Sequence, residues 1–589
     1  MSFKNRLYLP GFPYTDDTKQ LLKNKIMLNI YKAAIFIVFY TLVITPSFGQ
    51  LSQNLTIGNP KAIALGNAVT ADPPGIDSIH FNPAGLIRIK EKTGTIKLTS
   101  GFISHDVQFG ETYVTDEKKI ALCAITEECD VSAGEWQSIW PTDPVANTES
   151  KTNKSAMYLP GQGIKTPSIT LVPTGGIAIT DSENRFTFAT AAYSPLASGV
   201  SRPEDDTATF HGIESAITRI TYFSPSFAFR VNDELSVGLS IGFSYQGTGV
   251  STNFRGAEST FAFMSEFASD VANIDSSLLR FIGPYDSMGR LEMDMDDNFS
   301  TNFNIGLLWE PKSWLSFGLV YQSEATSNMK GNWRMDYTSE VGEMISSMVP
   351  LNPIFQAVVG SKFTGPSDPK ACLSATENGG VSESCEYSQS GELETEFTLP
   401  EHIAVGVSVL LLPNIKVNFD IKWTRFSQWD LFEIKFDKDA DFLLLADLIY
   451  FVKPDDQFDP TASNLIMPRN YEDSLTWALG IEYTYSDNLR LRFGVEPRGG
   501  SIPNDKVDLG APYVNGYLYG LGFGYDMDKQ TTIDFGVGWW RSEFKADYGE
   551  SDNSNSLEPG RLIYNPYATQ EYESKADAYI VNLSFTKKL

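Results

Sequence analysis

Leu235-Ser236-Val237-Gly238-Leu239-Ser240-Ile241-Gly242-Phe243-Ser244-Tyr245-Gln246 alternates without interruption. Leu235, Val237, Leu239, Ile241, Phe243 and Tyr245 fall on one face, and small or polar residues fall on the other. Successive strand side chains point to opposite sides of a sheet. One face therefore suits lipid, and the other suits a crowded interior. In a bilayer only helices and closed barrels satisfy every backbone hydrogen bond, and strands of about ten residues with this dyad pattern are the mark of a transmembrane β-barrel.

The pattern recurs to the C-terminus. Strand candidates start near residues 92, 168, 185, 217, 234, 295, 314, 396, 415, 472, 489, 513, 531 and 573, which predicts an all-β, 14-stranded antiparallel barrel over residues 92–589. Connections alternate in length. Tight turns at 180–184, 231–234, 310–313, 412–414, 485–488 and 526–530 use Asp, Asn, Pro or Lys. Long links separate them, around 106–166, 201–216, 253–290, 339–392, 439–471, 497–512 and 546–572. This alternation predicts short periplasmic turns and long, partly helical external loops; a soluble sandwich is not expected to alternate so regularly. Val417, Phe419, Ile421 and Trp423 are expected to face lipid, with Lys416, Asn418, Asp420 and Lys422 in the lumen. Leu489, Leu491, Phe493 and Val495 likewise alternate with Arg490, Arg492, Gly494 and Glu496.

Upstream, Lys23, Lys25 and Lys32 flank an apolar core from Ala33 to Ile44, followed by Pro46-Ser47-Phe48-Gly49. This reads as a secretory signal peptide with cleavage after Gly49, the alternative being a retained anchor. Translation from Met27 rather than Met1 fits the same pattern, and residues 1–49 are set aside as an upstream segment and leader. The formal charge of −27 becomes −31 without residues 1–49, which disfavours nucleic acid as a partner. Cys123 and Cys129, and Cys372 and Cys385, each share one predicted loop. Export permits disulfides, so Cys123–Cys129 and Cys372–Cys385 are expected, with two other connectivities open. Neither pair has zinc spacing. The four histidines, His80, His105, His211 and His402, stand on separate elements without a nucleophile motif, so no enzyme is expected. Asp294, Asp296 and Asn298 lack the glycine and terminal glutamate of a calcium loop and read as a solvated strand end. No metal or cofactor is expected.

Residues 50–91 carry Gly66-Asn67-Ala68, Asp72, Asp77-Ser78 and Phe81-Asn82-Pro83-Ala84-Gly85-Leu86. Further on come Ala192-Tyr193-Ser194-Pro195-Leu196, Ser224-Pro225-Ser226-Phe227-Ala228-Phe229, Leu399-Pro400-Glu401, Trp423-Thr424-Arg425-Phe426-Ser427 and Leu491-Arg492-Phe493-Gly494. In this order the segments resemble the FadL-type (FadL/TodX) outer-membrane transporters of long-chain fatty acids and hydrophobic compounds. The resemblance implies a periplasmic hatch over 50–91, with Asn82, Pro83 and Ala84 as its signature triplet beside an inward kink of the third strand. Pro195 is the candidate for that wall kink, because proline removes a ladder donor; it could instead end the strand.

Two loop stripes point to ligand capture. Phe263, Phe267, Val271, Ile274, Leu278 and Phe281 recur at helical spacing. Met344 and Met348 sit in a second oily loop with Ile345, Val349, Ile354 and Phe355. These stripes either pack into a lid or form a ligand groove, and a shared groove would do both. Lys416, Lys422, Arg490 and Arg492 are candidates for a fatty carboxylate in the lumen, competing with neighbouring acids such as Asp420 and Glu496. The expected function is passive outer-membrane uptake of long-chain fatty acids or other hydrophobic molecules by a monomer embedded in outer-membrane lipid, with lateral release through the wall. A general porin and a surface adhesin are the alternatives.

Overall fold

A computed structural model describes residues 55–112, 142–152, 154–167, 170–255, 282, 285–376, 385–452, 461–510, 514–555, 567 and 570–589. The expected leader, the Cys123–Cys129 pair and the stripe Phe263, Phe267, Val271, Ile274, Leu278 and Phe281 lie outside the described residues.

The wall begins with β1 (Thr93–Thr112), β2 (Val172–Thr180), β3 (Phe186–Ser201), β4 (Glu214–Phe223 continuing as Ser226–Arg230) and β5 (Leu235–Arg255). It continues with β6 (Ser287–Lys312), β7 (Leu315–Gln322 and Ala325–Tyr337), β8 (Tyr387–Leu399 and His402–Leu412), β9 (Ile415–Thr424) and β10 (Ser474–Ser486). Last come β11 (Leu489–Arg498), β12 (Gly516–Asp526), β13 (Thr531–Ala546) and β14 (Gln570–Lys588). Each pairs antiparallel with the next, and β1 pairs with β14 from Thr93↔Lys588 to Phe109↔Tyr572, closing a fourteen-stranded barrel. Closure pairs the first and last strands, which would otherwise present sheet edges to lipid.

Three of the tight turns share one device, an Asp or Asn side chain accepting backbone N–H groups ahead of it. Asp181 Oδ1 accepts from Arg185 and Phe186, Asn232 Oδ1 from Glu234 and Leu235, and Asp528 Oδ1 from Gln530 and Thr531, all at 2.7–2.9 Å. Side-chain alternation sorts the two faces as the sequence implied. Val237, Leu239 and Ile241 are exposed on the lipid side, whereas Ser236, Ser240 and Ser244 are buried in the lumen.

β6 is longer than expected. It starts at Ser287 rather than near 295, and β8 starts at Tyr387 rather than near 396. Asp294 and Asp296 are therefore mid-strand and not a strand end. The cause is that Met293-Asp294-Met295-Asp296 keeps the period of two, with methionines turned inward and acids outward above the lipid. The bilayer zone of β6 is the row Phe299, Phe303, Ile305, Leu307 and Trp309.

Residues 55–91 lie inside the barrel near the short-turn end. They form α1 (Pro60–Ala64), α2 (Ser78–Phe81) and a 3-10 turn over Pro83–Arg88. Ile57, Ile76, Ile79, Leu86 and Ile87 pack on Ala178, Ala189, Ala191 and Ala228 of β2 to β4. On β5 to β8 and β10 to β13 the inward positions at this level are glycines. A Cβ on Gly238 would stand 2.3 Å from Ala84 N, on Gly306 2.0 Å from Asn82 Oδ1, on Gly318 2.1 Å from Thr70 O, and on Gly520 2.0 Å from Ile63 O. These glycines are ladder partners: Gly238 faces Gly306, Gly318 faces Gly406, Gly480 faces Gly494, and Gly494 faces Gly520. A belt of residues without side chains thus lets the backbone of the inner segment touch the backbone of the wall.

At the other end, α3 (Ser339–Met348), α4 (Asn352–Val358), α5 (Pro369–Thr376) and α6 (Asp441–Val452) form a lid. Its core holds Met288, Met293, Met295, Met329, Met335, Met344 and Met348. More than half of the chain's 13 methionines thus sit where an unbranched, adaptable side chain suits variable packing.

Two outcomes test this architecture. Ile305→Arg, on the lipid face near mid-bilayer, should lower unfolding free energy by about 2–4 kcal/mol in a denaturant titration in lipid vesicles; an unchanged midpoint would contradict the assigned face. A Cβ on Gly494 would lie 2.0 Å from Leu65 C and 2.1 Å from Gly66 N. Gly494→Val should therefore raise protease cleavage within residues 55–91 severalfold while the barrel keeps its heat-modifiable gel mobility.

Candidate functional site

Asn82, Pro83 and Ala84 act as a clasp between the inner segment and the wall. Asn82 is fully buried; its Nδ2 donates to Thr70 O (2.9 Å) and to Leu307 O of β6 (3.1 Å), and its Oδ1 accepts from Ala84 N (3.2 Å). Pro83 opens the following turn, where a missing N–H costs nothing, and Ala84 is small enough to lie on Gly238. The triplet packs chiefly on β5 and β6. The inner-segment residues that meet the bend in β3 are instead Thr56, whose Oγ1 donates to Ser194 O (3.0 Å), and His80, whose ring packs edge-on to Tyr193 at 5.5 Å. Burial, with Lys97 as a second cause, pushes the His80 imidazole down to about 3, so it is neutral.

Buried ion pairs hold the same segment. Asp72 meets Lys61 (2.8 Å), Arg88 (2.9 Å) and Lys416 of β9 (3.1 Å), and Arg88 also reaches Glu310 of β6 (3.0 Å). Burial pushes the Asp72 carboxyl up, but Lys61, Lys416 and Arg88 outweigh it and hold the group well below the usual carboxylate range. Its contribution is complete above the unfolded value near 4 and fades only as pH falls through the lower folded value. Asp77 pairs with Lys97 of β1 (2.7 Å), and Asp420 Oδ2 accepts Thr70 N (2.8 Å).

The four cationic candidates for a ligand carboxylate all have protein partners. Lys416 pairs with Asp72 and Glu482, Lys422 with Glu496 (2.6 Å), Arg490 with Asp526 (2.7 Å), and Arg492 with Glu482 (2.7 Å) and Asp534 (2.6 Å). Glu496 also takes Arg498 (2.7 Å) and Asn67 Nδ2 (3.0 Å), so the β9–β11 charges tie wall to inner segment.

β3 runs through Pro195 to Ser201, so the proline does not end the strand. Register with β4 shifts between Tyr193 and Leu196, and Tyr193 and Ser194 are both buried, which breaks the alternation at a bulge. Hydroxyls cover the lost ladder bonds. Ser194 Oγ donates to Arg219 O (2.8 Å), and Ser224 Oγ, at the break in β4, donates to Ala191 O (2.7 Å) while accepting Ala191 N (3.0 Å). β2 is short. It pairs with β1 only over Thr93–Thr99 and with β3 only over Thr187–Ala192. Above it, the next partners are Glu149–Thr152 for His105–Gln108 of β1, and Lys154–Ser155 for Val200–Ser201 of β3. Among the described residues, the facing edges of Ser100–Ser104 and Tyr193–Ala197 have no ladder partner in between. Phe102 and Tyr579, both lipid-exposed ladder partners on β1 and β14, lie at this level.

Inside the bulge is a chamber of about 60 Å³ lined by His80, Tyr193, Pro195, Leu196, Arg219, Gln322, Leu399 and others at the breaks in β7 and β8. Phe397, two residues outward from Leu399, packs on the methionine-rich lid core and also on an aromatic cluster containing Phe109, Phe426, Trp429 and Tyr567. Met344 and Met348 are buried in the lid core, 3% and 1% exposed. The lid is fastened by Asp441 at the start of α6, which accepts Thr364 N (2.8 Å), Gly365 N (2.9 Å) and Tyr387 OH (2.7 Å). A Cys372–Cys385 disulfide ties α5 to the chain entering β8. Sequence reasoning missed Thr56, Asp72 as an ion-pair centre, and Arg219. The signal for Arg219 was present, an arginine between the inward-facing Ile217 and Thr221.

The family described as outer membrane protein transport protein (OMPP1/FadL/TodX) matches residues 40–588. A long-chain fatty acid transport protein of Escherichia coli O6:H1 is 21% identical over 360 residues, 61% of this chain and 64% of the relative. One from Salmonella typhi is 20% identical over 362 residues, 61% and 63%. This chain thus spans somewhat under two thirds of the curated relatives it matches. The crystal structure of a Pseudomonas aeruginosa FadL homologue shares the fold with a TM-score of 0.60 at 14% identity, covering 92% of this chain and 99% of that one. The P. putida toluene transporter TodX does so at 0.55 and 12%, covering 91% and 99%. A closed barrel with a lipid-facing belt, an inner segment seated on glycines and a family match over nearly the whole length agree, and this chain belongs to the OMPP1/FadL/TodX family of outer membrane protein transport proteins.

Proposed function

We propose that this protein carries long-chain fatty acids or similar hydrophobic molecules inward across the outer membrane, capturing them at the lid and releasing them sideways through the wall between β1 and β3. The observation that carries the reading is spatial continuity. Apolar packing runs from the methionine-rich lid through Phe397 and Leu399 to the chamber, and the chamber abuts the stretch between β1 and β3 that lacks ladder pairing among the described residues. The names of the relatives support the same cargo class, fatty acids for the curated pair and toluene for a structural neighbour.

Transport here needs only a downhill path. Each methylene that leaves water gains about 0.8 kcal/mol, and lipid at the wall gap is as dry as the lid. Residues 55–91 act as a hatch that blocks the axial route, held by the Asp72 and Glu496 ion-pair centres. Thr56, bonded to the bulge carbonyl of Ser194, couples the hatch to the gap. Phe263, Phe267, Val271, Ile274, Leu278 and Phe281 belong to the capture surface in this reading, together with Met344 and Met348. Lys416, Lys422, Arg490 and Arg492 serve as hatch and wall ties rather than ligand contacts, because each has a carboxylate partner. The protein works as a monomer in outer-membrane lipid.

The porin alternative predicts free axial passage, and the hatch makes the two readings separable. Thr56→Cys with Ser194→Cys should form a disulfide that pins the hatch to the bulge. Oleate uptake by cells lacking their own transporter should then fall at least about tenfold and return on adding reductant. Uptake of a small sugar should not change. Oleate uptake indifferent to the oxidised tether would reject hatch-coupled release.

A further inference from the structure

We infer that Arg219 is an anion-binding station of the lumenal chamber, and that it selects monoanionic amphiphiles, carboxylates above all, over neutral hydrocarbons. This rests on the uptake reading and specifies the head group of its cargo.

Three observations carry it. Arg219 of β4 is 1% exposed yet has no carboxylate within 4.0 Å among the described residues, whereas the lumenal cations Lys97, Lys416, Lys422, Arg492 and Arg498 all have one. Among the described residues its guanidinium hydrogen-bonds to neutral groups, from Nη1 to Gln246 Oε1 (3.2 Å) and to Ser327 Oγ (3.3 Å), and Asp297 acts on it from beyond ion-pair distance. Its Nη2, buried, has no hydrogen-bond partner among the described residues. A buried charge left in this way is costly unless something pairs with it, and a buried donor left unmade adds to the cost.

The side chain also lines the chamber beside the wall gap, with Tyr193, Pro195 and Leu196 of the bulge on one side and Leu399 and Pro400 on the other. The space open to the centre of a water-sized sphere is about 60 Å³, several times the roughly 10–15 Å³ that one water needs on the same measure. That admits a carboxylate and the methylenes next to it but not an acyl chain. The chain must then trail toward Phe397 and the lid or lead through the gap, which is the orientation a head-group anchor imposes. Arg219 is held in place by the same bulge, because its own carbonyl accepts Ser194 Oγ. The neutral His80 ring opposite neither competes for the anion nor repels Arg219.

Among the described residues, Arg202 is the other buried arginine without a carboxylate partner, but its guanidinium is engaged by Gly212 O (2.8 Å), Leu509 O (3.4 Å) and His105 Nδ1 (2.9 Å). It ties loops together, whereas Arg219 faces a space of head-group size.

The test compares oleate with oleyl alcohol, which has the same chain without the charge, by equilibrium binding to the full-length protein in detergent at pH 8. Heat-modifiable gel mobility checks that each variant is folded. Arg219→Gln should weaken oleate binding about tenfold or more, the worth of one charge-assisted hydrogen-bonded pair, and change oleyl alcohol binding less than about twofold. Arg219→Lys, which keeps the charge, should hold oleate within about threefold of the parent. Equal losses for both ligands, or unchanged oleate binding in a folded Arg219→Gln, would overturn the assignment while leaving uptake intact. A parent protein that binds neither ligand would overturn the uptake reading itself.

Discussion

Lipid offers no hydrogen-bond partner, and that single constraint governs this molecule. It forces β1 to close on β14 and makes every wall strand pair with two neighbours. The exception is then informative. Where β2 stops short and β3 bulges at Tyr193–Leu196, the lost ladder bonds pass to the hydroxyls of Ser194, Ser224 and Thr56. A hydroxyl can exchange partners without breaking a ladder, which is why the proposed release route is placed here. Proline, which has no N–H to leave unpaired, stands in the middle of it.

The second dependency is close packing. Replacing inward side chains with glycine and alanine around one level lets the hatch sit backbone to backbone on the wall. The same contact would be destroyed by a single methyl group at Gly306 or Gly494. Apolar contact alone has no preferred register, and the buried pairs supply it. Asp72 gathers Lys61, Arg88 and Lys416, and Glu496 gathers Lys422, Arg498 and Asn67. Each centre joins a hatch group to a wall strand, so shifting the hatch breaks pairs at both. The lumenal charges are thus mostly committed to structure, which is why the uncommitted Arg219 stands out.

The barrel was legible because a period of two survives wherever one face meets lipid. Val237-Gly238-Leu239 announces its face without any tertiary knowledge, and Asp or Asn in the tight turns sets the strand ends. Reading stopped short where the outward face changed from apolar to acidic. Asp294 and Asp296 looked like a strand end because the barrel rises past the lipid into water, where charge costs nothing. The inner segment drew attention through Asn82-Pro83-Ala84, whose residue types suit a clasp, a turn start and contact with a glycine. Its ion pairs were not legible, since Asp72 and Lys416 are far apart in sequence and nothing local pairs them. Lys416, Lys422, Arg490 and Arg492 drew attention as lumenal cations, but charge pattern along a strand does not say which acid lies across the lumen. Arg219 was equally visible as a residue and invisible as a site, because what sets it apart is the partner it lacks.

The central claim is that an apolar ligand passes from the lid to the wall gap through the chamber. It is tested most directly by a structure of the full-length protein in lipid with a long-chain fatty acid brominated at its terminal carbon, read by anomalous scattering. The account predicts bromine signal on the line joining the lid, Phe397 and the bulge at Pro195, with the hatch seated on its glycine belt. A displaced hatch with an open water column along the barrel axis, and no bromine near Phe397 or Pro195, would contradict it.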